Sequence, residues 1–133
     1  MPETTLEPQT ETDLKELAQD IVRRAMQHGA SAAECVIREG DEFSTLVRLG
    51  QVETLKESGS KAIGVRVFFG KRSASTYSSD FSRSGLDRMV SSALELAKIT
   101  SEDPNAGIPE PSQLGSIAGD LDLYSSDVYS LPG

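Results

Sequence analysis

The chain has 133 residues, 37% hydrophobic and 26% charged, with a formal net charge of −8. That is the make-up of one ordinary soluble globular domain rather than of a disordered segment. No apolar run approaches the roughly 18 residues of a membrane helix, and the acidic amino terminus lacks the basic-then-apolar layout of a secretory signal.

Cys35 is the only cysteine and His28 the only histidine. A lone cysteine excludes a disulfide framework or a cysteine-based metal knuckle within one chain, and a reducing, cytoplasmic compartment is the natural reading. Zinc hydrolases usually take two or three histidine ligands, and a Ser-His-Asp triad needs a suitably placed one. The common hydrolytic chemistries are therefore disfavoured within these residues.

Charge is unevenly placed. Residues 1–12 carry Glu3, Glu7 and Glu11 and no basic residue. Beyond Lys98 there is no Lys or Arg, but there are Glu102, Asp103, Glu110, Asp120, Asp122 and Asp127. Residues 13–100 hold 13 basic and 12 acidic side chains. Acidic ends on a nearly neutral body repel phosphate and disfavour direct nucleic-acid binding.

Residues 13–28 read as the first helix. Leu14, Leu17, Ala18, Ile21, Val22, Ala25 and Met26 make one apolar stripe at helical spacing. Asp13 and Glu16 suggest a capping box, and Gly29 is placed to end the helix in the left-handed conformation. Then Gly40-Asp41, Gly50-Gln51, Gly59-Ser60 and Gly70-Lys71 recur between short segments suited to strands. Glycine supplies the positive φ of tight hairpin turns. Strands are expected over 33–39, 43–49, 52–58, 61–69 and 72–78, and turns this short make them antiparallel.

Ile63, Val65, Val67 and Phe69 share one face of the fourth segment, with Ala62, Gly64, Arg66 and Phe68 on the other. Ala33, Cys35 and Ile37 likewise alternate with Glu34, Val36 and Arg38. A sheet with one apolar and one mixed face leaves the mixed face wet or covered by another domain. The third segment alternates less cleanly, and its far end is expected to be exposed or irregular. Residues 84–99 read as the second helix, with Leu86, Met89, Val90, Ala93, Leu94 and Ala97 as its stripe and Ser84 and Asp87 as a possible capping box.

The expected fold class is therefore α+β: a two-layer sandwich of helix, five-stranded antiparallel β-meander and helix. Its domain plan is an acidic flexible amino terminus at 1–12, the α+β domain at 13–100, and an acidic Pro/Gly/Ser-rich connector at 101–133. The ending at Leu131-Pro132-Gly133 suggests a fragment of a longer protein with downstream domains.

Several side chains invite a chemical reading. His28 is either a lone ligand or base, or a cation-capable residue in the last helical turn, which the helix dipole favours. Cys35 is either a reactive thiol or, as its alternation with Ala33 and Ile37 favours, a small core residue. Ser73, Ser75, Ser78 and Ser79 near Lys71 and Arg72 suggest a phosphate site. The sequence has no phosphate-loop pattern, and its glycines lie between strands rather than before a helix, which favours a polar strand face. Asp41-Glu42 and Glu102-Asp103, at expected turn and linker positions, read as solvated charge rather than calcium ligands. Arg66 is expected to pair with a carboxylate across the sheet, or to reach another domain through its bidentate fork.

A family resemblance emerges from several segments together. They are Gly29-Ala-Ser-Ala-Ala-Glu-Cys35, Arg48-Leu-Gly-Gln-Val-Glu53 and Ala62-Ile-Gly-Val-Arg-Val67, then Ala74-Ser-Thr-Tyr-Ser-Ser-Asp80, Thr100-Ser-Glu-Asp-Pro-Asn-Ala-Gly107 and Asp120-Leu-Asp-Leu-Tyr124. In order and spacing the chain resembles the amino-terminal domain of the TldD/PmbA family, and most of all its PmbA (TldE) branch. The resemblance implies a cytoplasmic, metal-dependent peptidase system in which TldD and PmbA subunits pair as a heterodimer around a chamber and process peptides. Older descriptions of this branch speak of a modulator of DNA gyrase. The family's His-Glu-x-x-x-His metal helix belongs to TldD, so zinc is expected only in a TldD-like partner. No catalytic, cofactor-binding or metal-binding residue carries over to this chain, whose implied role is scaffolding and partner contact. The competing expectation is a free-standing adaptor that binds peptides along an exposed sheet edge.

Overall fold

The structure, a computed structural model, describes residues 11–116 and 118–130. The acidic stretch expected at 1–12 lies outside them as far as Thr10, as do the last three residues of the expected connector. Helix α1 spans Glu11–Gln27, strands β1, β2 and β3 span Ala32–Arg48, Gln51–Phe69 and Arg72–Ser78, and helix α2 spans Arg83–Ile99. Short 3-10 turns follow at Pro111–Gln113 and Ser126–Ser130. The fold is α+β, with two helices and one antiparallel sheet in the order β1-β2-β3.

The sheet has three strands, not the expected five. Gly50 and Gly70 do turn the chain, at φ 76° and 60°. Gly40 and Gly59 instead lie inside β1 and β2, outside the left-handed region. The segments 33–39 and 43–49 are thus one strand, and 52–58 and 61–69 another. Gly40 and Gly59 lie at nearly equal distances along the chain from the Leu49-Gly50 turn. A Cβ on Gly59 would meet Asp41 Oδ1 at 3.2 Å, so here glycine serves close approach between strands rather than a turn.

The described residues form two compact units. The first comprises the described parts of Met1–Glu39 with Ser60–Ile108, the second Gly40–Gly59 with the described parts of Pro109–Gly133. In the first unit Ile63, Val65 and Val67 of β2 are buried with Ile21 and Ala25 of α1 and Leu86, Met89, Val90, Ala93, Leu94 and Ala97 of α2. Ala33, Cys35, Ile37 and Phe69 pack against that cluster, as their alternation predicts. Strands β2 and β3 pair with Val65 opposite Thr76 and Val67 opposite Ala74. Thr76 closes this face by donating its hydroxyl to the Met89 carbonyl at 2.9 Å. In the second unit residues 51–57 of β2 are exposed, in keeping with their poor alternation.

The helix ends show what local pattern misses. α1 begins at Glu11, so Asp13 lies inside it rather than capping it. Gly29 ends it as expected, at φ 99°. α2 is capped by Ser82, whose hydroxyl accepts from the Gly85 N–H at 3.1 Å, and not by Ser84. Asp87, the expected box partner, accepts instead from Arg24 of α1 at 2.6 Å, while Arg24 also holds Asp20 at 2.7 Å.

Asp80 completes the α2 entrance. Hydrogen bonds from the Ser82 hydroxyl and backbone N–H, with Arg88 adding charge, hold its carboxyl below the usual range. The folded state therefore binds that proton less readily than the unfolded chain. The stabilisation is complete above the unfolded value near pH 4 and disappears as pH falls through the lower folded value. Asp80→Asn is accordingly expected to be less stable than wild type at neutral pH, with the gap narrowing as pH falls below the unfolded value near 4 in acid-unfolding curves. A gap that stays constant over that range would contradict the assignment.

Candidate functional site

The sheet face opposite the helices carries a constellation that combines charge, an aromatic ring and a depression. Alternation sends Gly64 and Arg66 of β2 to this face, and pairing sets Tyr77 opposite Gly64 and Ser75 opposite Arg66. Glu34 and Val36 of β1 complete the lining of a shallow hollow of about 200 Å³. Gly64 lets the Tyr77 ring lie close against the strand, because a Cβ there would meet the ring at 2.9 Å and displace it. The ring covers that bare backbone while remaining 80% exposed itself.

Arg66 is paired with Glu34 on the neighbouring strand, the carboxylate across the sheet that its position predicts. Its guanidinium lies 5.1 Å from the centre of the Phe68 ring, while its Nε is buried without an acceptor. This arrangement holds a cation between an acid and a ring.

The other candidate residues have structural partners. His28 lies just past α1 with Nδ1 2.7 Å from the Arg24 carbonyl oxygen; a carbonyl only accepts, so this nitrogen carries the proton. Cys35 is half-buried against the core, and burial pushes its thiol up to about 11. Lys71 donates to the Ala106 carbonyl at 2.9 Å and Arg72 to the Lys98 carbonyl at 3.0 Å. Among the serines, Ser78 Oγ accepts from the Asp80 N–H and the Ser73 carbonyl accepts from Thr100, while Ser75 lines the hollow. Asp41 and Glu42 sit within β1 rather than at a turn. The Asp103 carboxylate accepts from the Asn105 N–H at 2.9 Å.

These positions do not fit a zinc ion. Among the described residues no three His, Cys, Asp or Glu side chains are grouped to hold a metal. The Nδ1 contact of His28 leaves its Nε2 open, but no two further donors are grouped with it among the described residues, and the raised thiol resists the ionisation that zinc binding requires. The raised thiol value makes a second prediction. Native Cys35 is expected to react with iodoacetamide at pH 8 far more slowly than the same residue in urea, because the thiolate is the nucleophile. Equal rates would contradict its placement. Above about pH 8.5 the unfolded thiol ionises first, so this group costs stability as pH climbs toward 11.

Sequence reasoning named Arg66 but missed Glu34 as its partner and Tyr77 as the cover of Gly64. The available signal was a glycine in mid-strand, which an aromatic neighbour often shields.

Among the described residues no helix is long and apolar enough to cross a membrane. A family model described as PmbA/TldA metallopeptidase domain 1 matches residues 33–97. The chain is 34% identical over 95 residues to the metalloprotease PmbA of Escherichia coli O157:H7, covering 71% of this chain and 21% of that protein. It is 31% identical over 121 residues to a metalloprotease PmbA homolog of Haemophilus influenzae, covering 91% and 27%. The chain thus spans about a quarter of the length of these relatives. Its fold matches the crystal structure of a protein described as a modulator of DNA gyrase from Bacteroides thetaiotaomicron. The TM-score is 0.81 at 20% identity, over 92% of this chain and 28% of that one. The fold also matches TldE from Thermococcus kodakarensis, with a TM-score of 0.62 at 17% identity over 76% and 23%.

Proposed function

This chain belongs to the TldD/PmbA family as a PmbA/TldE-like amino-terminal domain, and from that premise we propose that it is a scaffold and partner-contact domain. It would form the front of a PmbA-like subunit in a cytoplasmic, metal-dependent peptidase that matures or degrades peptides. Residues 13–100 would be the domain proper and 101–133 the connector to downstream domains. A TldD-like subunit would supply the zinc and the bond-breaking residues.

The observation that carries this reading is the match of residues 33–97 to the family's first domain. The engagement of Arg66, His28, Lys71 and Arg72 with partners inside the chain is in keeping with it. The competing adaptor reading draws on the sheet order, which leaves β1 and β3 at the edges.

The test is peptide cleavage by the full-length protein and a TldD-like subunit of the same organism, separately and mixed. Cleavage that needs both proteins and stops on metal chelation is expected. Cleavage by the full-length protein alone would overturn the proposal. So would peptide binding by that protein with no effect on the TldD-like subunit, which would favour the adaptor.

A further inference from the structure

The hairpin of the second unit, Gly40–Gly59, turns at Leu49-Gly50. Both central residues have positive φ, 51° and 76°, the mark of a type I′ turn that favours Asn, Asp or Gly at each. A leucine in the left-handed region is therefore out of place, and it is 96% exposed. Neither backbone preference nor burial accounts for it.

Behind the tip, Phe43, Leu46, Val47, Val52 and Leu55 are each more than half exposed. Alternation puts Phe43 and Val47 on one face of β1 and Leu46 on the other, so both faces of the ribbon present apolar surface. Exposed apolar side chains concentrated on one ribbon in this way point to a protein-contact site. The charged positions around it are mainly acidic: Asp41, Glu42, Glu53 and Glu57 against Arg48 and Lys56, with Arg48 held 3.5 Å from Glu53. The second unit's other described segment adds Glu110, Asp120, Asp122 and Asp127 and no cation. A second copy would bring the same acidic ribbon and be repelled. The complementary surface is cationic.

We infer that this hairpin is a docking arm, with Leu49 as the anchor that enters an apolar cleft rimmed by Lys and Arg on a second protein. The inference rests on the partner-contact reading above, and the probe is the purified TldD-like subunit. Binding to the full-length protein is measured for wild type, Leu49→Asn, Leu49→Met and Glu42→Lys/Glu57→Lys, with the melting temperature of each. Asn suits the left-handed position, so Leu49→Asn is expected to melt no lower than wild type yet bind at least about ten-fold more weakly. Leu49→Met should bind within about two-fold of wild type. The double charge reversal should slow association several-fold, and added salt should do the same to wild type.

Wild-type affinity in Leu49→Asn overturns the inference while leaving the partner-contact reading in place. A lower melting temperature in that variant also overturns it, because Leu49 would then pack within its own polypeptide. Self-association lost in Leu49→Asn would make the occupant a second copy and overturn it as well. If the wild-type protein does not bind the TldD-like subunit, the partner-contact reading fails and this inference with it.

Discussion

Val65→Asp is expected to destabilise the first unit by several kcal/mol, while Arg66→Ala, one residue on, costs about 1 kcal/mol or less. Val65 is 1% exposed among Ile63, Val67 and the two helices. Even as the neutral acid, a carboxyl there without a partner costs roughly 2–7 kcal/mol, against a total stability of about 5–15 kcal/mol for a typical domain. Arg66 gives up its pair with Glu34 and its contact with Phe68. Its side chain is 43% exposed, where such pairs contribute about 1 kcal/mol or less. Urea melts followed by circular dichroism separate the two. Equal losses would contradict the assignment of faces along β2.

Phe68→Ala is expected to cost about 3–5 kcal/mol, although Phe68 lies on the face that alternation gives to polar residues. It is 2% exposed and the largest fully buried side chain among the described residues. Truncation removes the ring under the Arg66 guanidinium and leaves a space that the strand backbone cannot fill. The expected signature is a lower urea midpoint with an unchanged slope. A loss under about 1 kcal/mol, as for an exposed ring, would show that Phe68 is uncovered in solution.

These two residues mark how far the fold could be read from sequence. Val65 was legible because β2 alternates cleanly where one face is buried, and both helices were legible from their stripes. The burial of Phe68 was not, because alternation assigns a face without saying what covers it. Gly40 and Gly59 misled for a related reason. A glycine beside a polar residue reads alike whether the chain reverses there or runs straight through, and only the pairing set by Leu49-Gly50 decides. The α2 cap was legible as a serine near residue 84. The choice of Ser82 was not, because Asp87 is held by Arg24, 63 positions away. At the outer face Arg66 stood out as a charge amid apolar neighbours, but choosing Glu34 as its partner required the strand register.

The Leu49-Gly50 turn also bears on the order of events when the chain folds. It joins β1 and β2 through two residues, as Gly70-Lys71 joins β2 and β3, so each pairing is a short-range route to the sheet. Hairpins of this kind close in about 1–10 μs, whereas contacts such as Arg24–Asp87 must first close a long loop. A hairpin that zips from its tip is paced by how readily the tip bends, and a left-handed leucine bends reluctantly. Leu49→Asn is therefore expected to raise the folding rate and leave the unfolding rate nearly unchanged in stopped-flow measurements. A change confined to unfolding would place hairpin closure after the rate-limiting step. The side chain that makes the tip a good anchor also makes it a slow nucleus.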